Sequence, residues 1–169
     1  MTVVSCWHLR EYESKSMWDR YAGKEDRSIA VRSTVGGLQR ALKHFEGDMN
    51  FARVGYIDFD KQNWMDGKHY TIPSYNFIVP IITKSIEYPD EQELRLTYRL
   101  NDWDHASFWG KQELDSGLFI PVDLHELVHA VILAPGTSAE HAEEIRDVIR
   151  QVGLSPRVFS SSLDRTPVY

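Results

Sequence analysis

The chain has 169 residues, 42% of them hydrophobic and 26% charged, which suits one globular domain with a sizeable core. No stretch approaches eighteen consecutive apolar residues, which excludes a spanning helix, and a net charge of −6 argues against bulk electrostatic binding to nucleic acid, leaving only a local basic patch as a route. The single cysteine, Cys6, excludes an internal disulfide and, with a start "MTVVSCWHLR" that carries no charged leader, predicts a reduced, cytoplasmic setting.

Taken in chain order, "TVVSCWH" reads as a strand. In "EYESKSMWDRYAG", Tyr12, Met17, Trp18 and Tyr21 recur at near-helical spacing and Gly23 is the stop, so a helix is expected to lay these side chains into the core. "SIAVRST" alternates as a half-buried strand does. "VGGLQRALKHF" reads as a helix with Leu38, Leu42 and Phe45 on one face, and "FARVGYIDFD" as another strand. "KQNWMDGKHYTIPSY" is a polar, aromatic loop. "NFIVPIITKSIEY" is ambiguous, because its apolar run suits a buried helix while Pro80 breaks the middle of one.

"ELRLTYRLN" alternates cleanly, Leu94, Leu96, Tyr98 and Leu100 facing one way and Arg95, Thr97 and Arg99 the other. "WDHASFWGKQELDSG" is a polar hairpin or loop. "LFIPVD" and "AVILAP" read as short strands, with room in "DLHELVH" for two helical turns at most. "TSAEHAEEIRDVIRQVG" has a cap at Thr137 or Ser138, acids in its first turns and Gly153 as its stop, and "RVFSSS" reads as a last strand. Strands and helices intermix without a regular βαβ rhythm. The expected architecture is therefore α/β (α+β), one domain over residues 1–169, a mixed sheet with flanking helices.

Cys6, Trp7, His8, Glu13, Ser14, Met17, Trp18 and Tyr21, leading into the Ile-Ala strand, resemble the hallmark stretch of the bacterial DUF2971 family, with Ser28 where relatives carry Gly. A second block places Lys84, Tyr88, Glu91, Glu93 and Arg95; a third resembles "IPVDLHELVHAVILAP"; the closing "SSLDRTPVY" also fits. The family's function is unassigned, so the resemblance implies a fold and a map of positions without a reaction. Longer relatives carry a strand and an Asn-Asp-Pro-like turn ahead of Cys-Trp-His. The resemblance thus implies a short version without that segment, and leaves open whether a missing segment or a partner chain completes a site. The expected role is a non-catalytic regulatory or ligand-binding domain of a bacterial defence or stress locus, with a protein partner or a second copy left open.

Other patterns suggest chemistry. Glu91-Gln92-Glu93 at a strand entrance resembles the acidic turn of arginine-directed ADP-ribosyltransferases, where one Glu holds the nicotinamide ribose and the other activates the acceptor. On that reading Glu91, Glu93 and Arg95 are the catalytic candidates and NAD is the cofactor, though otherwise none is expected. Arg32, Ser33 and Thr34 only partly match that family's upstream Arg and Ser-Thr-Ser strand. The plainer reading is a Glu93–Arg95 pair on one sheet face. His8, Glu13, Tyr21 and Arg32 are the candidate ligand-binding residues, His8 as a strand-end imidazole that meets a ligand hydroxyl or caps a turn. Cys6, in an apolar strand, is expected to be a buried, inert thiol. Asp102, Asp104 and His105 are a cation candidate without the length or the Gly of a calcium loop.

HELVH fits the zinc pattern H-E-x-x-H through His125, Glu126 and His129. Pro121 and Pro135 confine it to a short helix, and no third ligand follows at the usual distance. The sequence therefore disfavours a zinc hydrolase and predicts a surface helix without metal, Leu124, Leu127 and Val128 pointing inward.

Overall fold

The computed structural model describes residues 2–23, 27–62, 78–100 and 117–165. Their elements are β1 (Thr2–His8), α1 (Lys15–Tyr21), β2 (Ile29–Arg32), α2 (Val35–Ala41), β3 (Met49–Arg53), β4 (Gly55–Ile57), β5 (Thr83–Ser85), β6 (Glu93–Arg99), α3 (Leu124–Leu127), β7 (Ala130–Leu133), α4 (Ala139–Gln151) and β8 (Arg157–Phe159), with three short 3-10 turns. The fold class is α+β, as expected, but the strands form three small sheets. Two compact units interleave along the chain: Met1–Glu11 with Gly47–Leu118, and Tyr12–Glu46 with Phe119–Tyr169. Among the described residues no helix is long and apolar enough to cross a membrane.

The first unit is built on β6, the middle strand of an antiparallel sheet ordered β1-β6-β3. Its alternation fixes the register, because a slip of one residue would turn every leucine outward. Leu94, Leu96 and Tyr98 are buried, as is Leu100 just beyond. The opposite side is covered as well, since Thr97 is 1% exposed and Glu93 7%. Across that side the rows run His8–Glu93, then Cys6–Arg95–Ala52, then Val4–Thr97–Asn50. The run "FARVGYIDFD" divides at Val54, whose N–H turns to the Glu93 carbonyl (2.9 Å), and β4 then pairs in parallel with β5. Pro80 sits in the first turn of a 3-10 stretch, Val79–Ile82, where a missing N–H costs nothing, and the chain extends into β5 beyond it.

The second unit holds the sheet β2-β7-β8, antiparallel on one side of β7 and parallel on the other. β7 is the apolar centre, with Ala130, Val131 and Leu133 buried. α4 starts where Ser138 Oγ accepts from the His141 N–H (3.2 Å) and stops at Gly153, whose φ of +74° a residue with a Cβ rarely adopts. Two expectations are corrected. "LFIPVD" forms no strand, because the Asp123 N–H goes to the Ala41 carbonyl (3.0 Å) and its carboxylate caps α3. α1 does not bury an aromatic stripe. It is only seven residues long and none is buried; Tyr21 is 63% exposed and Trp18 half-buried.

α2 and α3 meet at Gly37. A Cβ there would lie 2.9 Å from the Glu126 carbonyl oxygen and 3.0 Å from the His129 ring. Gly37→Ala gains up to about 1 kcal/mol in helix propensity, yet overpacking against backbone costs about 1–3 kcal/mol. Chemical denaturation should therefore show a net loss of stability; a more stable variant would mean that the helices separate freely.

Candidate functional site

The acidic turn is shaped by Gln92. A 3-10 turn ends at Glu91, Gln92 takes a left-handed conformation (φ 38°, ψ 58°) uncommon for a residue with a Cβ, and β6 begins at Glu93. The turn is tied to the end of β1. The Leu9 N–H donates to the Gln92 carbonyl (2.9 Å), Arg10 Nε to Gln92 Oε1 (2.9 Å), and His8 Nδ1–H to the Glu91 carbonyl (2.6 Å). The carbonyl can only accept, so Nδ1 carries a proton, and Nε2 is buried with no partner among the described residues.

Both carboxylates then meet one ammonium. Lys84, on β5, donates to Glu91 Oε2 and to Glu93 Oε1 (2.9 Å), and its ammonium stands 5.0 Å from the Tyr88 ring centre. Arg95 completes the group, with Nε on Glu93 Oε2 (2.8 Å), Nη2 on Glu93 Oε1 (3.0 Å), and Nη1 on the Ile81 carbonyl. The Glu93 N–H donates to the Tyr56 hydroxyl (2.9 Å). Two anions and two cations thus neutralise one another, and the side chains of Glu91, Glu93, Arg95 and Lys84 are 3%, 7%, 16% and 24% exposed.

The charges answer to this packing. Burial pushes the Glu93 carboxyl up, but bonds from Arg95 and Lys84 outweigh it and hold the group far below the usual carboxylate range. Lys84 is correspondingly held well above the ordinary lysine value, the bonds to Glu91 and Glu93 overcoming its own desolvation. Cys6, beside Arg95 on the same face, is exposed, not buried as its apolar strand implies. Partial desolvation and the Glu93 carboxylate push its thiol up, which leaves it protonated and a poor nucleophile.

Glu91, Glu93, Arg95 and His8 are therefore brought together in the first unit. Glu13, Tyr21 and Arg32 belong to the second. There Glu13 acts as a clamp: Trp18 Nε1 (3.0 Å), Ser161 Oγ (2.6 Å) and the Ser162 N–H (2.6 Å) all donate to its carboxylate, and these bonds lower its pKa against desolvation. Arg32 is exposed on β2 and its carbonyl accepts from the His129 N–H (3.0 Å). Sequence reasoning left Lys84 and Ser161 out of the candidate groups. The signal for Lys84 was its place in the second stretch that resembles DUF2971, and for Ser161 its place at the head of the closing "SSLDRTPVY"; neither pointed to the partner, which for Ser161 stands 148 residues away at Glu13.

HELVH is a single turn, Leu124–Leu127, started by the His125 N–H on Asp123 Oδ1 (3.0 Å). His129 lies beyond it, so His125 and His129 do not share a helical face. Arg40 Nε holds Glu126 Oε2 at 2.7 Å. Among the described residues no group of three His, Cys, Asp or Glu is arranged to hold a metal. Leu124, expected inside, is 44% exposed, because one turn cannot direct three neighbouring apolar residues to one side. Asp102, Asp104 and His105 lie outside the described residues.

Lys84→Met should be costly, because it leaves two buried carboxylates facing one guanidinium. A loss of about 3–5 kcal/mol at pH 7 is expected for breaking such a buried pair. Glu93's folded pKa is depressed, so its contribution is complete above the unfolded value of about 4.3 and fades as pH falls toward the folded one. The deficit of Lys84→Met in urea melts should accordingly hold from pH 7 to about pH 5 and shrink below about pH 4. A deficit independent of pH would assign the loss to packing alone.

Compared with family models, curated proteins and solved structures, the chain has no match.

Proposed function

We propose that this chain is a non-catalytic ligand-binding or regulatory domain. The resemblance to DUF2971 supports a place in a bacterial defence or stress locus. An exposed, unpaired Cys6 thiol suits the reducing cytoplasm. One observation carries the non-catalytic reading: both oxygens of Glu93 are already bound, by Lys84 and by two nitrogens of Arg95, in a side chain only 7% exposed. A transferase needs a carboxylate with a lone pair free to meet the ribose and the developing oxocarbenium centre. Here Lys84 and Arg95 take three of the about four acceptor positions of Glu93, and a carboxyl held far below neutral pH does not exchange protons as a general base tuned near pH 7 would. His8 Nε2, buried without a partner among the described residues, supports binding, since a hydrogen-bonding group of a ligand would satisfy it.

Calorimetric titration with NAD, together with an NAD-consumption assay, tests this reading. The folded wild type should neither bind nor consume NAD. Glu93→Gln should lower the melt strongly, because Lys84 and Arg95 lose their shared counter-charge; the expected cost is again about 3–5 kcal/mol. NAD turnover by the wild type, abolished in a Glu93→Gln variant that melts normally, would overturn the proposal in favour of a transferase.

A further inference from the structure

Among the described residues β2 is an outer strand of its sheet, and only one of its edges is paired. The Ala134 N–H donates to the Ser28 carbonyl (3.0 Å), which fixes the phase of the ladder. Antiparallel pairing alternates, so Ser28, Ala30 and Arg32 turn their backbone groups toward β7, and Ile29 and Val31 turn theirs away. The outward N–H and C=O groups of Ile29 and Val31 bond to none of the described residues. Both residues are open to solvent, at 44% and 39% exposure. Outer strands are usually protected by a lysine, a proline, a bulge or a covering loop. In β2 only Arg32, at its end, carries charge, and the three residues before it are Ile-Ala-Val.

We propose that this edge pairs antiparallel with the β2 edge of a second copy, about a two-fold axis at Ala30, so that two three-stranded sheets become one continuous sheet. The strand is self-complementary in that register. Ile29 of each copy faces Val31 of the other as a hydrogen-bonded pair, so four backbone bonds form and two Ile–Val contacts lie on one face. Ala30 faces Ala30 as the non-hydrogen-bonded pair, where Cα atoms approach to about 4.5 Å and a small side chain fits best. Arg32 faces Ser28, so the strand's only charged residue does not meet its own copy. A two-fold interface must be complementary to itself in this way.

Sedimentation equilibrium of the full chain across about 5–500 µM tests it, in the range where an interface of small area associates. The wild type should move from the mass of one chain toward twice that mass. Val31→Pro removes only an outward N–H and leaves the bonds to β7 intact, as proline on an outer edge can; association should weaken at least ten-fold. Ala30→Lys and Ala30→Glu place like charges at the axis, so each alone should stay monomeric while their equimolar mixture dimerises. Should Val31→Pro fail to fold, the Ala30 pair, which alters no backbone donor, decides. A wild type that stays monomeric throughout, a Val31→Pro variant that associates normally, or Ala30 variants that do not restore pairing when mixed would each overturn the proposal.

Discussion

The sharing of Lys84 between Glu91 and Glu93 is the constraint on which the first unit depends. A lone carboxylate on the covered side of β6 would cost several kcal/mol in desolvation, and two side by side would repel as well. Lys84 and Arg95 remove that cost only where they stand, so the pairing of β5 with β4, the left-handed turn at Gln92 and the start of β6 must all be in place together. The backbone meets the same demand. The Glu93 N–H and carbonyl are spoken for by Tyr56 and Val54, and the Glu91 carbonyl by His8. Side-chain and main-chain groups thus meet at one corner, and neither set can be satisfied without the other.

Such a corner specifies structure more than it adds net stability. The attraction between buried ions is largely offset by the water they give up, and apolar replacements of similar volume often do as well. What an apolar cluster lacks is directionality. Leu94 and Leu96 are tolerant of small shifts, whereas Arg95 reaches both oxygens of Glu93 and the Ile81 carbonyl in one geometry only. The Glu13 clamp plays a similar part in the second unit. Three donors from two distant segments converge on one carboxylate, so the segment around Ser161 has a defined seat without a large apolar contact.

Legibility in the sequence follows the range of the interactions involved. α4 is readable because its cap, its acids and its Gly153 stop all lie within sixteen residues of one another and are enforced by local geometry. β6 is readable because alternation is a property of the strand itself, and the Glu93–Arg95 pair follows from same-face spacing. "LFIPVD" was misread for the converse reason. Its apolar residues look like a strand, but the N–H of its own last residue, Asp123, is taken by the Ala41 carbonyl, more than eighty residues away in sequence. Tyr21 was misread because near-helical spacing says which residues share a face, not whether anything covers that face. Nothing next to Lys84 in the chain marks it as a shared counter-ion, since its partners come to it through the turn at Gln92.

HELVH shows how a string with a chemical meaning elsewhere can be assembled from unrelated structural demands. To the Asp123 cap His125 contributes only its backbone N–H, two residues on, which any side chain would allow. Glu126 is the counter-charge of Arg40 on α2, and the His129 main chain continues the bonding of β7 to β2 by donating to Arg32. The His129 ring lies where Gly37 has no side chain, so the glycine and the imidazole occupy what is in effect one position. Each of the three motif residues is thus placed by a different neighbour. A zinc helix requires the opposite, two imidazoles one turn apart on a single rigid helix with the carboxylate free to reach water. With the turn ending at Leu127 and Glu126 held by Arg40, geometry denies the motif the chemistry its letters suggest.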